Sequence, residues 1–224
     1  MLSIYKKIME ENDSLVRCSL NYPVIKEQEC EGNIIQIINQ LIYEDIISFK
    51  DVVKHELGNK IFRLIDYVYH AITEYRITFN KNDIVSIPIE FSQLIGLYDI
   101  TYVNSYNFDI SLGKYINLSD IFDTSINYID IINEKLSNKV SYMLNKYKHD
   151  CCEKVYEQEK FEGIYDNQTF YIEEDGIVIC FSSYEMSKNI SHLIEFKLLF
   201  SDYIDYLSKY TINNIWRYND NVTY

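Results

Sequence analysis

Two segments constrain the fold more than any others: residues 107–122, NFDISLGKYINLSDIF, and residues 170–185, FYIEEDGIVICFSSYE, on either side of one long helical pattern. Each reads as strand, glycine-bearing turn, then a second strand or a helix start. That order calls for a sheet with helices packed on it. Neither segment holds the residues from which a conventional active site is assembled.

The rest of the chain agrees. Residues 16–25, VRCSLNYPVI, are extended, with Pro23 acceptable at an edge or bend but awkward in a central ladder. Over 33–57, Ile34, Ile37, Ile38, Leu41, Ile42, Ile46 and Phe49 recur every three or four positions, and Gly58-Asn59 stop the helix they imply. Between 62 and 79 the period changes to two: Tyr67, Tyr69, Ala71, Thr73, Tyr75, Ile77 and Phe79 share one parity, as in a half-buried strand. Asn80-Lys81-Asn82-Asp83 turn this strand back into residues 84–91, where Pro88 indicates an edge or a bulge. A further strand over 98–109 turns through Ser111-Leu112-Gly113-Lys114 into a short extended piece.

Asp123-Thr124 supply capping chemistry for a helix at about 124–158, whose apolar stripe is Ile129, Ile132, Leu136, Val140, Met143, Tyr147, Cys151 and Val155. One such stripe suits a coiled coil or the face of a sheet, and a β-rich remainder favours the sheet. Asp175-Gly176 between two β-rich runs predicts a tight hairpin, since both positions accept positive φ. A last strand covers 193–200, and Ser201 caps a helix carrying Ile204, Leu207 and Ile215. The predicted class is α+β, an antiparallel sheet with amphipathic helices packed on it.

With 224 residues, 47% of them hydrophobic, the chain can bury a substantial core. Lys and Arg number 21 against 34 Asp and Glu, a formal charge of −13 that repels phosphate backbones and anionic membrane surfaces. Nucleic acid is therefore not an expected partner; a basic protein is compatible, as is a merely solvated acidic surface. The N-terminus reaches Glu10, Glu11 and Asp13 without the apolar run of a secretory signal, and no uncharged apolar stretch approaches the roughly 18 residues of a membrane span. As it stands the chain reads as cytoplasmic, or extracytoplasmic if a leader has been removed. Oligomeric state cannot be read from it.

Chemistry-bearing residues are scattered. His55, His70, His149 and His192 have no metal-binding spacing, and the five cysteines lack a C-x-x-C motif. Cys151-Cys152 beside His149 point in different directions on a helix, and Cys180 lies in an apolar strand as a small hydrophobe. Neither a metal nor another cofactor is expected. The acidic tip Glu173-Glu174-Asp175 has too few oxygens for calcium, and Asp120 and Asp123 suit a helix start. No nucleophile elbow or phosphate loop occurs.

Several stretches resemble the C-terminal extracellular domain of RsiV-type anti-sigma factors. They are DIVSI at 83–87, SYNFD at 105–109 continuing through Gly113-Lys114 to LSDIF at 118–122, FYI at 170–172, DGIV at 175–178, and Phe181 with Tyr184-Glu185-Met186. Upstream, YPVI at 22–25 and Ile38-Asn39 resemble the accessory region that RsiV shares with PdaC-type peptidoglycan deacetylases, outside the catalytic domain of the latter. The resemblance implies an N-terminal region over 15–80 and a C-terminal domain over 81–210, packed as one unit, with no known enzymatic activity in either. In lysozyme-sensing members the extracellular domain binds lysozyme, a basic protein. Relatives commonly carry Gly-Gly-Ala-His-Gly where this chain has Ile95-Gly96-Leu97-Tyr98-Asp99, and the signalling members add a cytosolic segment and a membrane span not found here.

The expected function is a non-catalytic binding module for a protein or glycan ligand. Its aromatic loops would present Tyr98, Asp99 and Tyr102 together with Tyr184, Glu185 and His192. The alternatives are a glycan-active enzyme using Glu185 with Asp99 or His192, and an intracellular regulatory protein that binds a partner.

Overall fold

The computed structural model describes residues 1–12, 16–26, 32–58, 69–95, 98–150, 161–186 and 190–216. It divides into two compact units, Met1–Tyr115 and Ile116–Tyr224. The boundary expected at residues 80 and 81 lies within a strand of the first unit.

The first unit is a helix on a sheet. Its strands are β1 (Ile4–Asn12), β2 (Val16–Ile25), β3 (Tyr69–Tyr75), β4 (Phe79–Lys81), β5 (Ile84–Ile95), β6 (Tyr98–Asp109) and β7 (Lys114–Tyr115), and its helix is α1 (Gly32–Gly58). The order is β1-β2-β3-β5-β6-β7, with β4 also paired to β5. All pairs are antiparallel except β2 with β3, which run parallel because the chain crosses between them through α1. β1 had no counterpart in the sequence reading, since its central residues are mostly exposed and show no clean alternation.

α1 buries Ile35, Ile38, Ile42, Ile46, Phe49 and Val53 on the sheet face that carries Cys18, Leu20, Ala71, Ile87, Ile89 and Phe91. The predicted stripe is thus rotated by part of a turn, leaving Ile37 and Leu41 exposed. Polar side chains complete the layer. Asn39 accepts from the Ile25 N–H at 2.8 Å and donates to its carbonyl at 2.9 Å, standing in for a neighbouring strand where β3 has ended. Pro23, which has no N–H to offer, lies in the same stretch of β2, paired to β1 on one side and beyond the end of β3 on the other.

β3 and β4 both pair with β5, and the residues between them form a bulge. Tyr75 opposes Ile89 and Phe79 opposes Ser86, so three residues face two. Pro88 sits there, and its carbonyl accepts from the Arg76 N–H at 3.1 Å. The bulge is the one that Pro88 foretold, although β5 is an interior strand. Asn82 and Asp83, at φ 54 and 58°, close the β4–β5 turn in the left-handed region that Asn and Asp tolerate best after Gly.

The second unit holds a three-stranded sheet, β8 (Phe170–Glu173), β9 (Gly176–Phe181) and β10 (Ile194–Leu199), with β9 in the middle. Two helices precede it, α2 (Leu118–Ile121) and α3 (Tyr128–Asp150). α3 buries Ile132, Leu136 and Val140 as expected; Cys151, Val155 and the rest of the predicted helix to 158 fall outside the described residues. Asp123 does not cap this helix: its carboxylate accepts from the N–H and hydroxyl of Ser125, while Asn127 and Asp130 pair across the first turn. After β10 the chain forms a 3-10 helix, Phe200–Tyr206, with Ser201 inside it rather than capping it, and then a π-helical turn, Thr211–Trp216. Ser208 and Thr211 donate their hydroxyls to the carbonyls of Asp120 and Ile121, satisfying the buried C-terminal end of α2.

The expected tight hairpin joins β8 and β9, without the positive φ that its Asp-Gly pair accepts. Glu173 pairs with Gly176, so Glu174 and Asp175 occupy the turn, and neither has positive φ. Glycine is needed at 176 for another reason: a Cβ there would lie 2.2 Å from the backbone oxygen of Leu198 on β10. At Gly113 the reverse holds, with open space but φ of +62°. Gly176→Ala should therefore destabilise the fold by about 1–3 kcal/mol through forced displacement of β10, and Gly113→Ala by about 1 kcal/mol through backbone strain alone. Denaturant titration of the two variants should rank them in that order; equal midpoints would refute the close-approach account.

Candidate functional site

The six residues expected to form a binding site divide between the two units. Tyr98, Asp99 and Tyr102 lie on β6 rather than on a loop, Tyr98 pairing with Ile95 at the start of the strand. Asp99 accepts a hydrogen bond from the Thr101 hydroxyl at 3.1 Å. Tyr102 packs into the layer beneath α1: its ring stacks on Phe91 at 5.0 Å and meets the edge of Phe49 at 6.2 Å. Burial, with the nearby Asp45 carboxylate, pushes its hydroxyl up to about 12. Asp45 itself projects from α1 and accepts from Tyr106 Oη at 2.5 Å and Asn104 Nδ2 at 3.1 Å. Burial first, then this carboxylate, holds the Tyr106 hydroxyl protonated far above its ordinary range. These phenols tie helix to sheet and stay protonated at neutral pH.

Tyr184, Glu185 and His192 belong to the connection between β9 and β10. Tyr184 adopts φ +64°, a strained conformation for an aromatic residue, and is fixed there because its N–H donates to the Ile190 carbonyl at 2.7 Å. Ser183 donates its hydroxyl to the Ser191 carbonyl at 2.8 Å, closing the loop's neck a second time. Glu185 uses both carboxylate oxygens. Oε2 accepts from the Ser182 N–H at 2.6 Å, and Oε1 from Gln168 Nε2 at 2.9 Å. Gln168 also donates to the Cys180 carbonyl at 2.7 Å, so one buried amide links β9 to the loop. The side chains of Tyr184 and His192 are exposed on this frame.

At the hairpin tip, Lys197 of β10 bridges Glu173 and Asp175, each at 2.7 Å. Hydrogen bonding from Lys197 lowers the Asp175 carboxyl below its usual range and raises the ammonium. The acidic tip is thus partly neutralised by its own sheet.

A third feature has no motif in the sequence. β1, β2 and α1 border an open cleft of about 360 Å³ in the first unit, lined by Lys7, Tyr22, Gln36, Gln40 and Tyr43 among others. Lys7 opposes Tyr22 in the β1–β2 register, and the ring of Tyr22 lies 6.2 Å from that of Tyr43 on α1, tilted by 53°. Burial, with Tyr43 and Tyr5 adding to it, raises the Tyr22 hydroxyl. Gln40 donates its amide to Glu44 at 2.7 Å, which leaves its carbonyl oxygen as an acceptor. In the sequence these side chains are spread over 37 positions and carry no shared motif, so only the parallel crossover brings them together.

Residues 119–201 match the family described as Protein of unknown function (DUF3298), and that stretch lies within the second unit. A curated relative, the peptidoglycan-N-acetylmuramic acid deacetylase PdaC of Bacillus subtilis, is 23% identical over 172 residues, covering 75% of this chain and 34% of its own length. The chain thus spans about a third of that relative. Two solved DUF3298 structures share the fold: one from Bacteroides fragilis with TM-score 0.63 and 14% identity over 97% of this chain and 98% of its own, and one from Pseudomonas aeruginosa with TM-score 0.58 and 9% identity over 96% and 97%.

Because the folded state favours the neutral form of Tyr102, stability should be intact below its unfolded value near 10 and decline as pH rises through about 12. Tyr102→Phe should flatten this decline. Denaturation at about pH 9 and about pH 11 would measure it, with absorbance near 295 nm following phenolate formation; an unchanged slope would count against the assignment. Asp45→Ala should cost about 1–3 kcal/mol by stranding the Tyr106 hydroxyl, and Tyr106→Phe should recover part of that loss in the double variant.

Proposed function

We propose that the chain is a non-catalytic binding module of RsiV-like architecture, recognising a basic protein such as lysozyme or a cell-wall component. The observation that carries this reading is the state of Glu185. It is the best placed acid or base among the expected site residues, and both its oxygens are committed to holding the Tyr184–His192 loop. A loop braced at its neck, with an exposed aromatic and an exposed imidazole on it, suits recognition, because little entropy is lost when a partner docks. The formal charge of −13 favours a cationic partner by long-range attraction. The likeness to PdaC supports a cell-wall setting, and it covers a third of that enzyme rather than the whole.

The competing reading, a glycan-active enzyme, requires Glu185 to reach a proton with the lone pairs that the Ser182 and Gln168 hydrogen bonds leave over. The two are separable. Immobilised lysozyme and purified peptidoglycan should each be tested for retention of the whole chain, with salt titration to expose the electrostatic share. Retention of either that falls about tenfold on Tyr184→Ala, with no released product, fits the binding reading. Turnover of glycan abolished by Glu185→Gln would establish the enzyme instead, and no retention of either ligand would refute the proposal.

A further inference from the structure

We infer that the cleft between β1, β2 and α1 is a saccharide site, taking a short acetamido sugar that bears a carboxylate. This rests on the binding-module reading above and gives it a second, separate location. Three observations lead to it.

First, the cleft does not suit strand addition, although it lies along the part of β2 that β3 leaves unpaired. The Asn21 carbonyl accepts from the Thr73 hydroxyl at 2.9 Å, Pro23 has no N–H, and both backbone groups of Ile25 are taken by Asn39. A ligand must therefore be read by side chains. Second, the chemistry of the walls is amphipathic in the manner of a sugar. The exposed Tyr43 ring, packed on the buried Tyr22, offers an apolar face for the C–H face of a pyranose, while the Tyr43 hydroxyl and the carboxamides of Gln36 and Gln40 offer donors and acceptors for hydroxyl and acetamido groups. Glu44 fixes the Gln40 amide so that its carbonyl is the group presented. Third, Lys7 places an ammonium at the same wall, and among the described residues no carboxylate pairs with it. In a chain this acidic, an unpaired lysine beside aromatic rings selects for a carboxylate on the ligand. The volume is near the lower bound of about 300–1,000 Å³ for small-molecule sites, which suits a short saccharide.

Calorimetry on the whole chain should use two probes, chitobiose as the neutral saccharide and N-acetylglucosaminyl-N-acetylmuramic acid as the carboxylated one. The carboxylated probe should bind more tightly. Tyr43 is 42% exposed, so Tyr43→Ala should fold normally and weaken both probes about tenfold. Lys7→Gln should remove the preference between them while leaving chitobiose binding unchanged. Circular dichroism would confirm that each variant folds. If neither probe binds at millimolar concentration, or if both variants bind like the parent chain, the cleft is not a saccharide site. Continued retention on lysozyme or peptidoglycan in that case would leave the binding-module reading standing without it.

Discussion

The first unit depends on a single topological requirement, the parallel pairing of β2 with β3. Parallel neighbours cannot be joined by a hairpin, so the intervening chain must cross one face of the sheet, and α1 is that crossing. Its length follows from the need to bury a row of isoleucines and Phe49 along the strands. Nearly everything else described in this unit is arranged around the covered face: the Tyr102–Phe91 stack, the Asp45 bridge, and the cleft at the margin where α1 overhangs β1 and β2.

Side-chain amides recur where regular pairing stops. Asn39 serves the end of β2, Asn80 exchanges hydrogen bonds with the backbone of Leu2, and Gln168 serves Cys180 at the end of β9. Asn39 and Asn80 each offer the backbone a donor and an acceptor, and Gln168 offers a donor. Such a device ends a ladder without exposing it, and it also fixes the position of whatever bears the amide. In this way Asn39 sets the height of α1 above β2, and Gln168 sets Glu185.

How much was legible depended on whether local pattern or close approach decided the outcome. Period and turn chemistry placed α1, β6 and the β4–β5 turn at their observed positions, because amphipathic spacing and the Asn-Asp pair act locally. β1 escaped because both its faces are largely exposed, so it has no alternation to read. Gly176 was assigned to a turn from its neighbour Asp175, while the cause is the backbone of Leu198, distant in sequence. Tyr102 has a loop aromatic's local sequence for the same reason: nothing around it announces that Phe49 and Phe91 will pack on it. The loop at Tyr184 was located, yet the role of Glu185 as a brace depends on Gln168, which no local motif identifies.

The bulge opposite Pro88 allocates side chains between the two sides of the sheet. Tyr75 opposes Ile89, whose side chain is on the α1 face, but Phe79 opposes Ser86, whose hydroxyl meets Asn107 on the other. One supernumerary residue among Arg76, Ile77 and Thr78 thus changes the parity of everything that follows on β4. Phe79 is delivered to the face away from the helix and Asn80 to the face where it finds Leu2. A deletion of one residue here would exchange the two, placing an amide where a phenyl ring is buried. Length in this short stretch is therefore more tightly fixed than composition, and homologues should vary the identities of these residues more freely than their number.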